Sequence, residues 1–511
     1  MQLKSLYIKD YKILKDFSID FPYDFKRYIS VFIGANGSGK STILEAIITI
    51  FSSVLLKEKA KFGFELEYSV RHNELIEQTS TTSEFHTEYL MVKLSAKDKG
   101  DKIHLNVSNA RSSKLYDGEI LEKEKMVIVL SESHKKYSFT VLPENIIVYY
   151  SGLSEILEEL CKPHEAKLSK AYRKGNTNLN RDFFYFKPEH YGIILTSLLS
   201  FEYGDIPEFL KTKSKIAGVQ SIQIRLQKPD WASDSIENFW GAKGDVRKFL
   251  NYLDSLSEVK SLVDYLDSNI PGSNGVVIEA IDNVSIVISL LGINTLYKVR
   301  EFLIEERKLF ETLNIMLADG ILKDISFSLI KEEQENLSYF NVLSEGEQQS
   351  IIIKGLTELL SEKNSLFLFD EPDTYLHPKW QRQFITDIES TINEKYDSEN
   401  SFVIATHSPQ LLSNAKSDLN FVKIMEEGSL IENTPKYYGR EISSILYDLM
   451  GVEERNIVIR EYISNLFTSI EEEEIEEAER MLIDLQNLIG VDDPELKRAE
   501  IQISYLKEDQ E

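Results

Sequence analysis

The sequence predicts an α/β protein built on a mixed, largely parallel sheet with flanking helices. Three observations carry that expectation. A short apolar run at 28–33 enters a glycine-rich loop, Gly34-Ala35-Asn36-Gly37-Ser38-Gly39-Lys40-Ser41, and a helical pattern leaves it. Two more apolar runs, 365–369 and 402–405, read as strands buried on both faces. Helical patterns at 348–360 and 378–391 alternate with them, and strands alternating with helices build parallel sheets.

Taken in order, Leu6 and Ile8, then Phe17, Ile19 and Phe21, alternate with polar neighbours at the period of half-buried strands. From Lys40 to about Leu56, the side chains of Ile43, Ala46, Ile47 and Ile50 share one helical face. A β-rich lobe follows, with strands expected at 62–70, 89–94, 103–107, 126–130 and 145–150. Residues 151–330 read as an inserted, mainly helical region, with helices at 245–266 and 295–318 and a strand-like stretch at 276–291 between them. Neither a sustained heptad pattern nor a repeat of 20–50 residues interrupts this reading. Residues 420–431 look like two short strands. Last comes a tail of distinct composition: residues 471–511 hold 15 acidic and 4 basic side chains. Ile475, Ala478, Met481, Leu482, Leu485, Leu488 and Ile489 fall at helical spacing up to Gly490. Asp493-Pro494 opens a second helix with Leu496, Ala499, Ile503 and Leu506 on its apolar face, giving an acidic helical hairpin. Four segments result: 1–150, 151–330, 331–440 and 441–511.

Composition bounds the function. A chain of 511 residues with 42% hydrophobic and 28% charged side chains can bury sizeable cores and is not a disordered polymer. Its net charge of −26 excludes wrapping nucleic acid with the whole surface, so any such contact needs a local patch. Residues 161–190 offer one: Lys162, Lys167, Lys170, Arg173, Lys174, Arg181 and Lys187 outnumber Glu165, Asp182 and Glu189, with Tyr172, Phe183, Phe184, Tyr185 and Phe186 interleaved. That is the composition of a DNA or RNA surface, and equally of a basic loop beside a buried aromatic strand. The single cysteine, Cys161, excludes a disulfide framework and a multi-cysteine metal site, and it suits a cytoplasmic location. With no signal-peptide pattern and no apolar run of about 18 residues, no membrane association is expected.

The glycine-rich loop matches the phosphate-binding pattern GxxxxGK[ST] in full, in its strand-to-helix context. Glycines let successive backbone N–H groups point at phosphate oxygens, and the helix N-terminus adds partial positive charge. Asn36, Gly37, Ser38, Gly39, Lys40, Ser41 and Thr42 are therefore the expected nucleotide contacts, with Lys40 on the β- and γ-phosphates of ATP and Ser41 on Mg²⁺. The apolar run 366–369 ends in Asp370-Glu371, which places both carboxylates at the edge where ligands sit in open α/β sheets. Alone this would be an ordinary solvated strand end. Beside a phosphate loop, Asp370 becomes the Mg²⁺ carboxylate and Glu371 the general base for the attacking water. Thr406-His407-Ser408 follows the next strand. Ser344 with Glu347 three residues on forms a capping box, and a helix N-terminus is also what a γ-phosphate favours.

Leu343-Ser344-Glu345-Gly346-Glu347-Gln348-Gln349 resembles the signature of ABC-type ATPases, with Glu345 where the family has its first glycine and an extra Glu347. The order of phosphate loop, signature, Asp-Glu strand and histidine resembles an ABC-type ATPase head. The resemblance implies a β-rich lobe, catalytic roles for Glu371 and His407, and Ser344 and Gly346 reaching the nucleotide of a second head in a homodimer. The stretch from Glu371 to Pro378, with the opening residues 3–21, resembles the RecF, SMC and overcoming-lysogeny-defect branch; there a basic residue touches phosphate, here Lys12. The strand at 146–150 ends in Ser151-Gly152 and departs from the family's glutamine-bearing loop, so the resemblance names no residue holding metal or water from that side. The tail and residues 142–154 resemble PtuA-type ATPases of Septu antiphage systems, some encoded with retrons. That likeness implies an ATPase without a nuclease centre of its own, whose tail docks an HNH nuclease subunit that it controls. A RecF-like DNA repair ATPase, and a scaffold that uses ATP only to dimerise, are the alternatives.

Overall fold

The structure is a computed structural model. It describes residues 1–510 except 23–27, 74–86, 110–114, 120–126, 130–135, 139–140, 153, 174–180, 233–235, 260–274, 283, 334–335, 341–342, 362–363, 395–399, 417–419, 433, 441–444 and 446–454. Strands β1 (Gln2–Tyr11) and β2 (Leu14–Asp20) form a hairpin, and β3 (Ile29–Ile33) runs into the phosphate loop and α1 (Lys40–Leu55). Then come β4 (Phe64–Asn73), β5 (Thr87–Ala96), β6 (His104–Asn109), β7 (Leu115–Glu119), β8 (Val127–Val129), β9 (Lys136–Ser138) and β10 (Ile146–Tyr150). The middle of the chain holds α2 (Glu155–Arg173), β11 (Phe183–Tyr185), α3 (His190–Leu199), α4 (Asp205–Ser214), β12 (Ile216–Gln227), α5 (Gly244–Ser255), β13 (Ser257–Val259), β14 (Gly275–Asp282), β15 (Ser285–Leu291), α6 (Ile293–Leu303), α7 (Glu306–Ala318), β16 (Leu322–Glu333) and β17 (Asn336–Phe340). It closes with α8 (Glu345–Leu359), β18 (Leu366–Asp370), α9 (Pro378–Glu394), β19 (Ser401–Thr406), β20 (Asn420–Glu426), β21 (Ser429–Leu430), α10 (Ile457–Glu471), α11 (Ile475–Ile489) and α12 (Pro494–Gln510).

Residues Met1–Tyr438 fold as one unit and Gly439–Glu511 as another. The centre of the first is a seven-stranded sheet in the order β11-β10-β18-β19-β3-β20-β21, parallel throughout except for the terminal β20–β21 hairpin. Five of five residues in β18 and six of six in β19 are buried, as expected for central strands covered on both faces. Segments distant in sequence thus share one sheet: β3 and β10 from the N-terminal part, β18 to β21 from the C-terminal part, and β11 from the inserted region. An eight-stranded antiparallel sheet, β2-β1-β4-β5-β6-β7-β8-β9, packs its apolar face on α1 through Leu6, Ile8, Phe64, Leu66 and Val92.

The inserted region carries more sheet than its sequence pattern discloses. Besides α2 to α7 it builds a six-stranded sheet, β13-β14-β15-β12-β16-β17, in which residues 276–291 supply only the β14–β15 hairpin. The helix expected over 245–266 ends at Ser255, and residues 260–266 lie outside the described ones. The helix expected over 295–318 is two helices, broken at Ile304, whose backbone turns to φ 75°.

In the second unit, the acidic hairpin of α11 and α12 gains a third helix, α10. Ile463, Leu466 and Ile470 of α10 pack with Ala478, Leu482 and Leu485 of α11 and with Leu496, Ala499 and Ile503 of α12. Apart from Leu488, which is exposed, the apolar stripes read from the sequence therefore meet inside a three-helix bundle. Asn456 caps α10, accepting a hydrogen bond from the Val458 N–H. Arg455 holds Asp493 and Glu495 at the start of α12, at 2.8 and 3.1 Å. Among the described residues, no helix is long and apolar enough to cross a membrane.

Candidate active site

Parallel strands align their carboxyl ends, and the register fixes what meets there. Tyr150 of β10 lies opposite Asp370 of β18, Asp370 opposite Ala405 of β19, and Thr406 opposite Ile33 of β3. The phosphate loop, the Asp-Glu pair and His407 accordingly share one edge.

The loop is shaped by backbone constraints. A Cβ on Gly34 would stand 2.2 Å from the Met425 carbonyl oxygen, and Gly39 caps α1 at φ 107°, a conformation that L side chains rarely adopt. Asn36 and Gly37 form its exposed tip, with Ser41 exposed and Thr42 half-buried on the first turn of α1. Lys40 is buried, and its Nζ donates to the Gly34 and Ala35 carbonyls, both at 2.8 Å. Burial lowers its pKa, while the charges of Glu371 and Asp370 work the other way.

Asp370 is only 5% exposed, and burial pushes its carboxyl pKa up to about 6, although the Ser41 hydroxyl bonds to it and Lys40 lies near. Among the described residues, its Oδ1 is buried without a hydrogen-bond partner, as is Ser38 Oγ in the loop above. An orphaned carboxylate oxygen beside a serine hydroxyl is a hard oxygen donor set. It suits Mg²⁺, which takes one or two protein ligands and completes its shell with water and phosphate.

Glu371 adopts φ 50°, and its N–H donates to the Ala405 carbonyl at 2.8 Å. That bend turns its carboxylate toward His407, with Glu371 Oε1 3.0 Å from His407 Nδ1. Both side chains reach solvent, at 24% and 44% exposure, as groups that must meet a water and a γ-phosphate require.

The roles of two supporting residues escaped the sequence reading. Asp373, 2% exposed, accepts from the Thr406 hydroxyl at 2.8 Å, and Thr406 Oγ1 in turn accepts from the Ser408 N–H at 2.9 Å. Burial raises the Asp373 pKa against these bonds. The pair ties the loop after β18 to the end of β19, fixing His407 relative to Glu371. Gln349, also 2% exposed, donates to the Pro372 carbonyl at 2.6 Å and accepts from the Tyr375 N–H at 2.9 Å, so α8 is fastened to the same loop. Asp373 lies in the stretch from Glu371 to Pro378 and Gln349 at the end of the signature-like stretch, but the pattern alone assigns neither a role.

Ser344 is the N-cap of α8 in a complete capping box, accepting from the Glu347 N–H while its own N–H donates to Glu347 Oε2 at 2.8 Å. Glu347 also takes the Lys331 ammonium of β16 at 2.9 Å; burial works to raise its pKa, and the bonds from Lys331 and Ser344 prevail and lower it. A Cβ on Gly346 would come within 2.9 Å of the Tyr375 carbonyl oxygen, so a glycine permits this close approach. Helix α8 packs chiefly on α3, α4, α7 and α9, whereas α1 packs on α2, β18 and β19. Lys40, Ser41, Asp370, Glu371 and His407 are thus brought together, and Ser344 and Gly346 sit at a different helix end.

Lys12 occupies the β1–β2 turn at φ 53°, and its Nζ pairs with Glu45 of α1 at 2.6 Å. Glu45 also accepts from the Tyr11 hydroxyl at 2.5 Å. Next to it, Ile13 lies where a Cβ on Gly39 would be 3.2 Å away, so this turn abuts the phosphate loop. Of the two readings of 161–190, the described residues, which leave out 174–180, favour the buried aromatic strand beside basic side chains. Tyr172, Phe183, Phe184 and Tyr185 are all buried, with Phe183 against His164 of α2 and Phe184 against Phe310 of α7. Arg173 pairs with Asp319, Lys167 with Asp182, and Lys187 with Glu158 and Glu165. Rings that stack on bases must be exposed, and these are core.

The chain is similar to the Retron Vc95 probable ATPase of Vibrio cholerae serotype O1 biovar El Tor, 23% identical over 505 residues that cover 92% of this chain and 83% of the relative. It is also similar to the Septu protein PtuA of Bacillus thuringiensis, 26% identical over 203 residues, or 36% of this chain and 50% of PtuA. Among solved structures, an Smc head bound to the C-winged helix domain of ScpA aligns over 84% of this chain and 96% of that one, at 13% identity and a TM-score of 0.30. The Smc head with an extended coiled coil bound to the C-terminal domain of ScpA derived from Pyrococcus furiosus aligns over 84% of this chain and 95% of that one, at 12% identity and a TM-score of 0.27. The family model of the AAA ATPase domain matches residues 1–412, so it takes in the phosphate loop, Asp370, Glu371 and His407, and the chain belongs to that family.

Proposed function

We propose that this protein is the ATP-hydrolysing subunit of a cytoplasmic antiphage defence complex, and that its ATPase cycle controls an associated HNH nuclease. The observation that carries the hydrolytic reading is the Glu371–His407 pair, 3.0 Å apart, beside the Lys40–Ser41–Asp370 cluster. Lys40 exchanges its loop carbonyls for the β- and γ-phosphate oxygens of ATP, whose negative charge suits the ammonium better. Ser41 and Asp370 would hold Mg²⁺, which neutralises charge on the phosphates. Glu371 orients the attacking water and draws its proton, and His407 stabilises charge as it develops on the γ-phosphoryl group. Ser344 and Gly346, at the positively polarised N-terminus of α8, reach the γ-phosphate held by a second copy, so that two heads form two shared sites.

The defence role rests on the similarity to the retron and Septu proteins. The nuclease is assigned to the Gly439–Glu511 bundle, whose tail from 471 onward carries 15 acidic against 4 basic side chains and repels nucleic acid. Its acidic face would steer a basic protein partner, and Ile483, Leu488, Val491, Ile501 and Tyr505 stay exposed beside it. Deletion after Tyr438, between the two units, tests this assignment. A truncated chain that hydrolyses ATP but no longer co-purifies with the nuclease encoded beside it supports docking on the bundle; full retention of the nuclease refutes it.

A further inference from the structure

Strand β10 borders the Asp-Glu pair; it ends at Tyr150, and Ser151 and Gly152 follow. Tyr150 is in register with Asp370, and in-register residues of parallel neighbours project from the same face of the sheet. Ile146 and Val148 of β10, with Leu366 and Leu368 of β18, belong on that face to the core beneath α1, and the Tyr150 ring packs against the same core. The phenol is therefore on the side of Asp370 and Ser41. Its electrostatic neighbours are Asp370, Glu371 and Tyr375. The ring folds back over Gly152, where a Cβ would stand 2.9 Å from two ring carbons and 3.0 Å from the hydroxyl oxygen. Ser151 holds the strand end in place: its N–H donates to the Asp370 carbonyl at 3.3 Å, and its hydroxyl lies 3.1 Å from that of Thr374, which donates to the Glu371 carbonyl at 3.0 Å. The β10 end is thus bonded to the Asp370 carbonyl directly and to the Glu371 carbonyl through Thr374.

We propose that the Tyr150 hydroxyl hydrogen-bonds a water in the shell of the Mg²⁺ held by Ser41 and Asp370, fixing from the β10 side the water arrangement on which Glu371 acts. A water bound to Mg²⁺ has its lone pair on the metal and donates its protons outward, and the oxygen of a protonated phenol accepts such a bond on the side that the two carboxylates leave open. Tyr150 is a positioning residue in this scheme. The inference rests on the ATP-site reading above and extends it to an element where the sequence motif assigns nothing.

Tyr150→Phe tests it by removing only the hydroxyl and keeping the ring over Gly152. Titration of Mn²⁺, followed by its paramagnetic resonance signal, into protein saturated with a non-hydrolysable ATP analogue should show about 10- to 100-fold weaker metal binding, as expected for loss of an outer-shell partner. Binding of the analogue without metal should stay within about twofold, and kcat should fall by a similar factor to the metal affinity. Wild-type Mn²⁺ affinity in Tyr150→Phe overturns the proposal. So does equal weakening of metal-free binding, which marks the phenol as structural support. A wild-type chain that binds no nucleotide would instead refute the ATP-site reading, so the two failures are distinguishable.

Discussion

Replacing Asp370 by asparagine removes a carboxylate that folding holds at a disadvantage. Burial raises its pKa from the ordinary 3.8 to about 6. The folded chain therefore binds this proton more tightly than the unfolded one. The resulting penalty on stability is absent below the ordinary value, grows as pH rises from about 4 to 6, and is complete above that. Two units at about 1.4 kcal/mol each give a penalty of about 3 kcal/mol at pH 8, with about half of it already present at pH 5. For a unit spanning Met1–Tyr438, an unfolding entropy of about 2 cal/mol/K per residue converts 1 kcal/mol to about 1 °C. Asp370→Asn should thus melt about 3 °C above wild type at pH 8, without metal or nucleotide, and about half as far above it at pH 5. Scanning calorimetry in EDTA at the two pH values measures both. Added MgATP should raise the melting temperature of wild type and leave the variant nearly unmoved, because a stabilising substitution at a binding group removes function. A variant that melts below wild type at pH 8, or an offset identical at both pH values, would refute the idea that burial of this charge sets the cost.

Two further outcomes follow from the same geometry. Glu371→Gln should bind ATP with wild-type affinity, hydrolyse it at least about a hundredfold more slowly, and accumulate as an ATP-bound dimer seen by light scattering; hydrolysis at the wild-type rate removes Glu371 from the role of base. His407→Ala should lower kcat about tenfold or more with little change in KM, because its contact with the γ-phosphoryl group strengthens in the transition state; equal losses in both parameters would make His407 a structural residue.

The parts of this site that are contiguous in the chain were legible in the sequence. Gly34 to Ser41 is one loop in one local context, and Asp370-Glu371 and His407 each end an apolar strand, so the rule that ligands meet at carboxyl ends suffices to assemble them. The roles of Asp373 and Gln349 were not legible, since they are hydrogen bonds to Thr406 and to the loop at Pro372 and Tyr375, pairings that only the folded chain creates. Composition left two readings open at 161–190, because the cover of β11 by α2 and α7 is invisible in a run of aromatics next to lysines. The six-stranded sheet was missed for a related reason: β12 pairs with β16, about a hundred positions away, and register shifts interrupt the pairing. In the tail, Ile463, Leu466 and Ile470 show the helical spacing that later appears as the third wall of the bundle.

Mixing two inactive variants tests the shared two-headed site most directly. Lys40→Ala disables the phosphate loop, and Ser344→Arg places a bulky cation at the start of α8; each alone should have no measurable ATPase activity. In a mixed dimer one site combines both lesions, while the other pairs an intact Lys40 with an intact Ser344. Steady-state hydrolysis of the mixture should therefore recover to a substantial fraction of the wild-type rate. A mixture as inactive as either parent, at protein concentrations where wild type is fully active, would contradict the sharing of the γ-phosphate between Lys40 of one copy and Ser344 of the other.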